Sequence, residues 1–235
     1  FKFTATTNQV KATLKTGGDE GTLRYGLLAI VDTGNHEIVS ARYFDDYEDI
    51  VVSSNALTPG DEYYIIVDNS NNIGYTGTFT LCVDDTLDYD YKEAAIELTD
   101  LNYWCSADAA YTTMMATPDE TKGSAWPNGP NYNRWFKFRA TKPFVKVDMK
   151  TGGLEGTLRY PLLALWDSAG NEISSTRYVD DYTDISVSSA SLVPGELYYI
   201  SADNYTNYWR RGTFTLCITD TIDYDYKEAA IEISN

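Results

Sequence analysis

One histidine, three cysteines and two dense acidic clusters are the residues of this 235-residue chain whose chemistry is weighed first. His36 sits in a turn-like stretch, and its counterpart 135 positions later is Asn171. A histidine working as acid, base or ligand would not be lost from an otherwise repeated site, so His36 is read as an exposed turn residue. The chain has no nucleophile elbow, phosphate loop or His-Glu-x-x-His pair. An enzyme is therefore not expected. The acidic clusters are Arg42-Tyr-Phe-Asp-Asp-Tyr-Glu-Asp49 and its copy Arg177-Tyr-Val-Asp-Asp-Tyr-Thr-Asp184. Calcium takes about six to eight oxygens, usually from closely spaced carboxylates and carbonyls on a loop. Asp45, Asp46 and Asp49 offer part of such a set, as do Asp180, Asp181 and Asp184, and calcium is the one cofactor this pattern suggests. The competing reading is a solvated acidic loop, because no EF-hand spacing is present. Tyr205, Tyr208 and Trp209 occupy a second loop, beside Arg210 and Arg211. They replace Ser70, Ile73 and Gly74 of the other copy, and such aromatics stack on sugar rings or polymer surfaces, or pack between domains.

These residues recur because the whole chain does. Phe1-Lys2-Phe3 returns as Phe136-Lys137-Phe138, and Gly21-Thr-Leu-Arg-Tyr25 as Gly156-Thr-Leu-Arg-Tyr160. Asp88-Tyr-Asp-Tyr-Lys-Glu-Ala-Ala-Ile-Glu97 returns as residues 223–232. The offset is 135 throughout, without a gap, and residues 1–100 match residues 136–235 at 61 of 100 positions. Solenoid repeats run to roughly 20–50 residues. This period is domain-sized, so each unit is expected to be a bead with its own core. The expected division is a first repeat over 1–88 that lacks its opening part, a complete second repeat over 89–222, and the start of a third repeat or a junction strand over 223–235. Residues 99–135 occur once and are too aromatic for a plain linker, so they are read as the opening of the second bead. Phe1 begins in mid-pattern, and the chain is expected to be a piece of a longer tandem protein.

The elements that must position these groups are strands. Val10-Lys-Ala-Thr-Leu14 and Thr78-Phe-Thr-Leu-Cys82 alternate in polarity, as half-buried strands do. Leu27-Leu-Ala-Ile-Val31 is a continuous apolar run, expected of a strand buried on both faces. Turn signals separate the runs at Thr16-Gly-Gly18, Asp32-Thr-Gly-Asn35 and Pro59-Gly60. Strands therefore recur every ~8–12 residues, which predicts an all-β fold of tandem antiparallel β-sandwiches, jelly-roll-like. Ala109 to Ala116 is open between a short helix and a strand. Extended geometry at Asp88-Tyr-Asp-Tyr91 would pack Tyr89 and Tyr91 and turn the aspartates to water.

Composition sets the outer limits. The net charge is −17, from 35 acidic and 18 basic residues, which argues against nucleic-acid binding and attraction to anionic lipid. No stretch approaches the ~20 apolar residues of a membrane helix, so membrane insertion is not expected.

The succession Trp135-Phe-Lys-Phe-Arg-Ala140, Leu162-Leu-Ala-Leu-Trp-Asp167, Leu192-Val-Pro-Gly195, Tyr198-Tyr-Ile-Ser201 and Gly212-Thr-Phe-Thr-Leu-Cys217 resembles bacterial pre-peptidase C-terminal (PPC-like) domains. The first copy carries the same series from Phe1 to Cys82. The Tyr- and Asp-rich tandem form resembles repeats of very large Bacteroidetes surface proteins, including SprB-type gliding-motility adhesins exported by type 9 secretion. The resemblance implies a non-catalytic β-sandwich at the cell surface, with roles in spacing and adhesion. It implies neighbouring repeats as partners, together with a surface polysaccharide or protein ligand. The alternative is a carbohydrate- or protein-binding accessory module of a secreted enzyme. Some PPC-like domains bind calcium, which adds to the acidic-cluster reading. In an exported protein a Cys82–Cys105 disulfide across the junction is one reading of the cysteines, and buried free cysteines are the other. Related families often carry a second cysteine near Gly123-Ser-Ala-Trp126, where this chain has none. The Bacteroidetes O-glycosylation pattern falls on Thr86, Thr221 and Ser168.

Overall fold

The structure, a computed structural model, describes residues 1–43 and 45–221, with the backbone alone at Tyr208. The expected third-repeat segment 223–235 lies outside the described residues. The chain divides into two compact units, Phe1–Asp88 and Tyr89–Asn235.

Among the described residues unit 1 holds seven strands: β1 (Lys2–Thr4), β2 (Val10–Lys15), β3 (Gly26–Asp32), β4 (Glu37–Arg42), β5 (Ile50–Ser54), β6 (Glu62–Asn69) and β7 (Thr80–Asp84). They form two antiparallel sheets, β1-β6-β3-β4 and β5-β2-β7. The alternation in β2 sends Val10, Ala12 and Leu14 into the core. Leu14 and Ile50 of one sheet press on Gly26 of the other, whose missing side chain lets the sheets approach.

Unit 2 repeats this plan and adds to it. Its strands are β8 (Ile96–Leu98), β9 (Trp104–Cys105), β10 (Tyr111–Thr112), β11 (Arg134–Arg139), β12 (Val145–Lys150), β13 (Pro161–Asp167), β14 (Glu172–Arg177), β15 (Ile185–Ser189), β16 (Leu197–Asn204) and β17 (Thr213–Thr219). Strands β11–β17 reproduce β1–β7 in order and register; Lys137 faces Tyr199 as Lys2 faces Tyr64. The sheets are β14-β13-β16-β11-β8 and β10-β17-β12-β15, with β9 also on β17. The β8–β11 pair is parallel, and all other described pairs are antiparallel. The fold is all-β, two sandwiches in tandem.

Residues 89–133 make the difference between the units. Strand β13 is buried on both faces, the burial expected of its counterpart run in β3. Leu163 and Leu165 face the inner core, while Leu162, Ala164 and Trp166 pack with Trp126 and Trp135 on the outer face. In β3 the expectation holds for one face only: Leu28 and Ile30 are buried, Leu27 and Ala29 half-buried. Ala109–Ala116 is neither a helix nor a full strand, since β10 takes only Tyr111 and Thr112. The aspartate at 90 does not face water. The chain turns there instead of extending, and Asp90 is 2% exposed. Its carboxylate accepts from the Thr117 amide at 3.0 Å and hydroxyl at 2.7 Å, with Arg134 at 4.0 Å.

The cysteine pairing also differs from expectation. Cys105 lies directly opposite Cys217 in the β9–β17 ladder, and these two form the disulfide. Cys82 is not its partner, because β9 adds to the last strand of its own unit; Cys82 is free and exposed.

Candidate functional site

Both units carry one loop cluster built around the same Arg–Asp pair. Gly21 and Gly156 lie where the chain crosses the turn before β7 and β17. A Cβ there would stand 2.4 Å from the Thr78 carbonyl oxygen and 2.3 Å from that of Thr213, closer than any side chain allows. The crossing is pinned by amide bonds from Leu23 to Thr78 and from Leu158 to Thr213, both 2.9 Å. Tyr25 and Tyr160 then adopt left-handed φ of 50° and 55°, which lets each neighbouring arginine reach the acidic loop.

The arginines use the acids that the sequence offered to calcium. Arg24 Nε donates to both carboxylate oxygens of Asp46, at 3.0 and 2.8 Å, and Arg159 Nε to those of Asp181, at 2.9 and 2.7 Å. These hydrogen bonds raise both guanidinium pKa values above their ordinary level. Asp49 accepts from the Thr16 amide and Asp184 from the Thr151 amide. Asp45 and Asp180 each accept from the amide of the next residue, at 2.7 Å. The carboxylates therefore act separately as clamps and loop caps. Among the described residues no group of three or more His, Cys, Asp or Glu side chains is placed to hold a metal ion.

Tyrosines surround the arginines. Arg24 lies 5.7, 5.6 and 5.2 Å from the rings of Tyr25, Tyr47 and Tyr75. In unit 2 Arg210 replaces Tyr75 and stacks on Tyr160 at 4.0 Å and Tyr205 at 4.8 Å, within cation–π range. Tyr178 packs against both Tyr160 and Tyr205. Of the loop aromatics singled out in the sequence, Tyr205 is thus half-buried inside the stack, and Trp209 is 68% exposed. The Tyr208 side chain lies outside the described residues. Tyr178 also lines a groove of about 580 Å³ with Ala125, Ser175, Arg177 and Val179. Sequence reasoning missed Arg159, Tyr160 and Tyr178. The signal for Arg159 and Tyr160 was the doubled Leu-Arg-Tyr motif, noted only as a mark of the repeat, and for Tyr178 the Arg-Tyr pair that opens each acidic cluster.

The remaining sites are placed as follows. His36 is exposed in the β3–β4 turn, with its amide and ring against Asp32 at 2.8 and 2.9 Å. Asn171 makes the same two contacts with Asp167, both at 2.8 Å, so the position serves the turn. Thr86 and Ser168 are exposed and Thr221 is half-buried. Asp203 is buried and accepts from the amides of Asn131, Tyr132 and Asn204. Burial outweighs these donors and pushes its carboxyl up to about 6.

No protein-family model matches this chain, and no curated protein matches its sequence. The CUB1-EGF-CUB2 portion of human MASP-1/3 aligns over 93% of this chain and 91% of its own, at 8% identity and a TM-score of 0.28. The N-terminal CBM22-1–CBM22-2 tandem domain of Paenibacillus barcinonensis Xyn10C aligns over 92% of this chain and 80% of its own, at 8% identity and a TM-score of 0.25. The M60 catalytic domain with CBM51-1 and CBM51-2 of Clostridium perfringens ZmpB aligns over 91% of this chain and 32% of its own, at 7% identity and a TM-score of 0.25. Likeness at this level carries no argument about what the chain does. Among the described residues no helix is long and apolar enough to cross a membrane.

Proposed function

We propose that this chain is a non-catalytic tandem module of a secreted or cell-surface protein, a structural and adhesive segment of a longer fibre. One observation carries the reading: the same sandwich with the same Arg–Asp–Tyr loop cluster is built twice, 135 residues apart. Repetition multiplies weak contacts and adds length, whereas catalysis needs one convergent constellation. The histidine serves a turn, and the acids are engaged by arginines and amides. The Cys105–Cys217 disulfide suits an oxidising, extracellular setting. The finer form of this reading is a PPC-like repeat of a gliding-motility adhesin, with Thr86, Thr221 and Ser168 as glycan acceptors. Its partners are neighbouring repeats and a surface polysaccharide or protein.

A second reading, an accessory carbohydrate- or protein-binding module of a secreted enzyme, is favoured by the exposed Trp209 and by the groove beside Tyr178. The two are separated by presenting the full chain to a glycan array, first free and then at high density on beads. Binding by the dense form alone supports the adhesive fibre. Binding by the free chain at about millimolar affinity or tighter, lost in Trp209→Ala, selects the accessory module. Turnover of any arrayed glycan overturns both.

A further inference from the structure

Arg177 and Arg210 of unit 2 have, among the described residues, neither a hydrogen-bond acceptor nor a carboxylate partner at the guanidinium. Arg159, by contrast, is held by Asp181. Acids outnumber bases 35 to 18 in this chain, so an arginine without a counter-charge calls for a reason. Arg177 ends β14 and is exposed; Arg210 is half-buried in the short turn Tyr208–Arg210. Arg210 is nevertheless fixed in place, 4.0 Å from the Tyr160 ring and 4.8 Å from the Tyr205 ring. Stacking engages the faces of a guanidinium and leaves its N–H edges open to an acceptor. Unit 1 has Tyr75 at this place, and Gly74 where unit 2 exposes Trp209.

Tyr178 connects the two arginines. It packs against both rings that hold Arg210, and with Arg177 it lines the groove of about 580 Å³. Arg177 is the charged residue of that lining, which contains no acid. We propose that this face of unit 2 binds an acidic polysaccharide, with Arg177 and Arg210 on its carboxylate or sulfate groups and the Tyr178 ring against a sugar face. The planar fork of an arginine matches such anions with two parallel hydrogen bonds. Tyr178 and the exposed Trp209 favour a sugar over an acidic peptide, because a pyranose offers an apolar C–H face to an aromatic ring. The net charge of −17 does not forbid an anionic ligand. At physiological salt, charges are screened beyond about 8 Å, so the arginines at the groove decide. The site presupposes the polysaccharide contact that both readings above allow, and adds the charge of the ligand.

Titration of the full chain with matched polymers at physiological salt tests this: polygalacturonate against its methyl ester, and dextran sulfate against dextran. Binding to at least one acidic form is expected, about tenfold or more tighter than to its neutral partner, and the preferred form tells carboxylate from sulfate. Arg177→Ala and Arg210→Tyr, the second placing there the residue type of unit 1, are each expected to weaken binding about tenfold, the worth of one hydrogen bond to a charged group. Arg177 has no partner in the fold to lose, so thermal melts of Arg177→Ala should match the parent chain. Equal binding to acidic and neutral forms, lost in Trp209→Ala and kept in Arg177→Ala, overturns the acidic ligand and leaves the carbohydrate-binding module standing. Tighter binding of poly-glutamate than of either acidic polysaccharide, with the same two losses, makes the partner an acidic protein segment and also overturns it. No binding to either acidic polymer overturns the site, whereas the broader reading stands or falls with the glycan array.

Discussion

Strands β7 and β17 share Thr-Leu-Cys, and the three residues before each strand or at its start, Gly-Thr-Phe, are also identical in the two units. Their fates are opposite. Phe214 through Ile218 are all buried, while Cys82 and Val83 are exposed and Leu81 is half-buried. The same holds for Phe136, fully buried, and Phe1, 68% exposed. Identical sequence thus gives the same strand and the same register, but not the same environment. The environment is decided by what lies against the strand, and in unit 2 that is residues 89–133.

The largest expected consequence is at the disulfide, which closes a loop with a sequence separation of 112. Reduction, or the double change Cys105→Ser and Cys217→Ser, is expected to cost unit 2 about 4–5 kcal/mol. Calorimetry with and without reductant should then move one transition and leave that of unit 1 in place; two transitions moving together would break the comparison. Next is Trp126, 2% exposed in the outer-face cluster of unit 2. Trp126→Ala is expected to destabilise unit 2 by about 3–5 kcal/mol in urea melts. A matched pair gives a sharper contrast. Ile218→Ala should cost about 2–5 kcal/mol, and Val83→Ala at the equivalent exposed position less than about 0.5 kcal/mol. Equal costs would mean that Val83 is covered in solution.

A further contrast concerns pH. The Asp203 carboxyl sits at about 6 in the folded unit against an ordinary 3.8. The folded state therefore holds this proton at pH values where the unfolded chain has released it. The contribution of this group to stability is full below about pH 4, falls as pH rises toward 6 and is flat above that. Thermal melts of unit 2 should show this slope in the parent chain and lose it in Asp203→Asn. A stability that rises across the same interval because of Asp203 would mean that the three amide donors outweigh burial.

Much of the architecture was written in local pattern. The repeat, the seven shared strands and their turns follow from side-chain alternation and turn residues, which are short-range properties. The apolar run at Leu27–Val31 implied burial on both faces, which β3 shows on one face only and its copy β13 on both. The loop cluster was half legible: the aspartates were visible, but their partners Arg24 and Arg159 lie 22 residues away along the chain. The possible calcium set was a count of carboxylates, which does not include the arginines that the fold brings to Asp46 and Asp181. The cysteine pairing was misread for a related reason, because β9 reaches β17 across a separation of 112 residues that no local signal marks.

The sequence alone therefore determined which segments are strands, where they turn and that the pattern is used twice, because periodicity and steric preference act between near neighbours. Only the tertiary structure decided which strands are covered, which acids are neutralised and which cysteines meet. Those outcomes depend on segments distant in sequence competing for the same edges and faces, and the shared 61 of 100 positions do not include most of residues 89–133, which lie against the strands of unit 2.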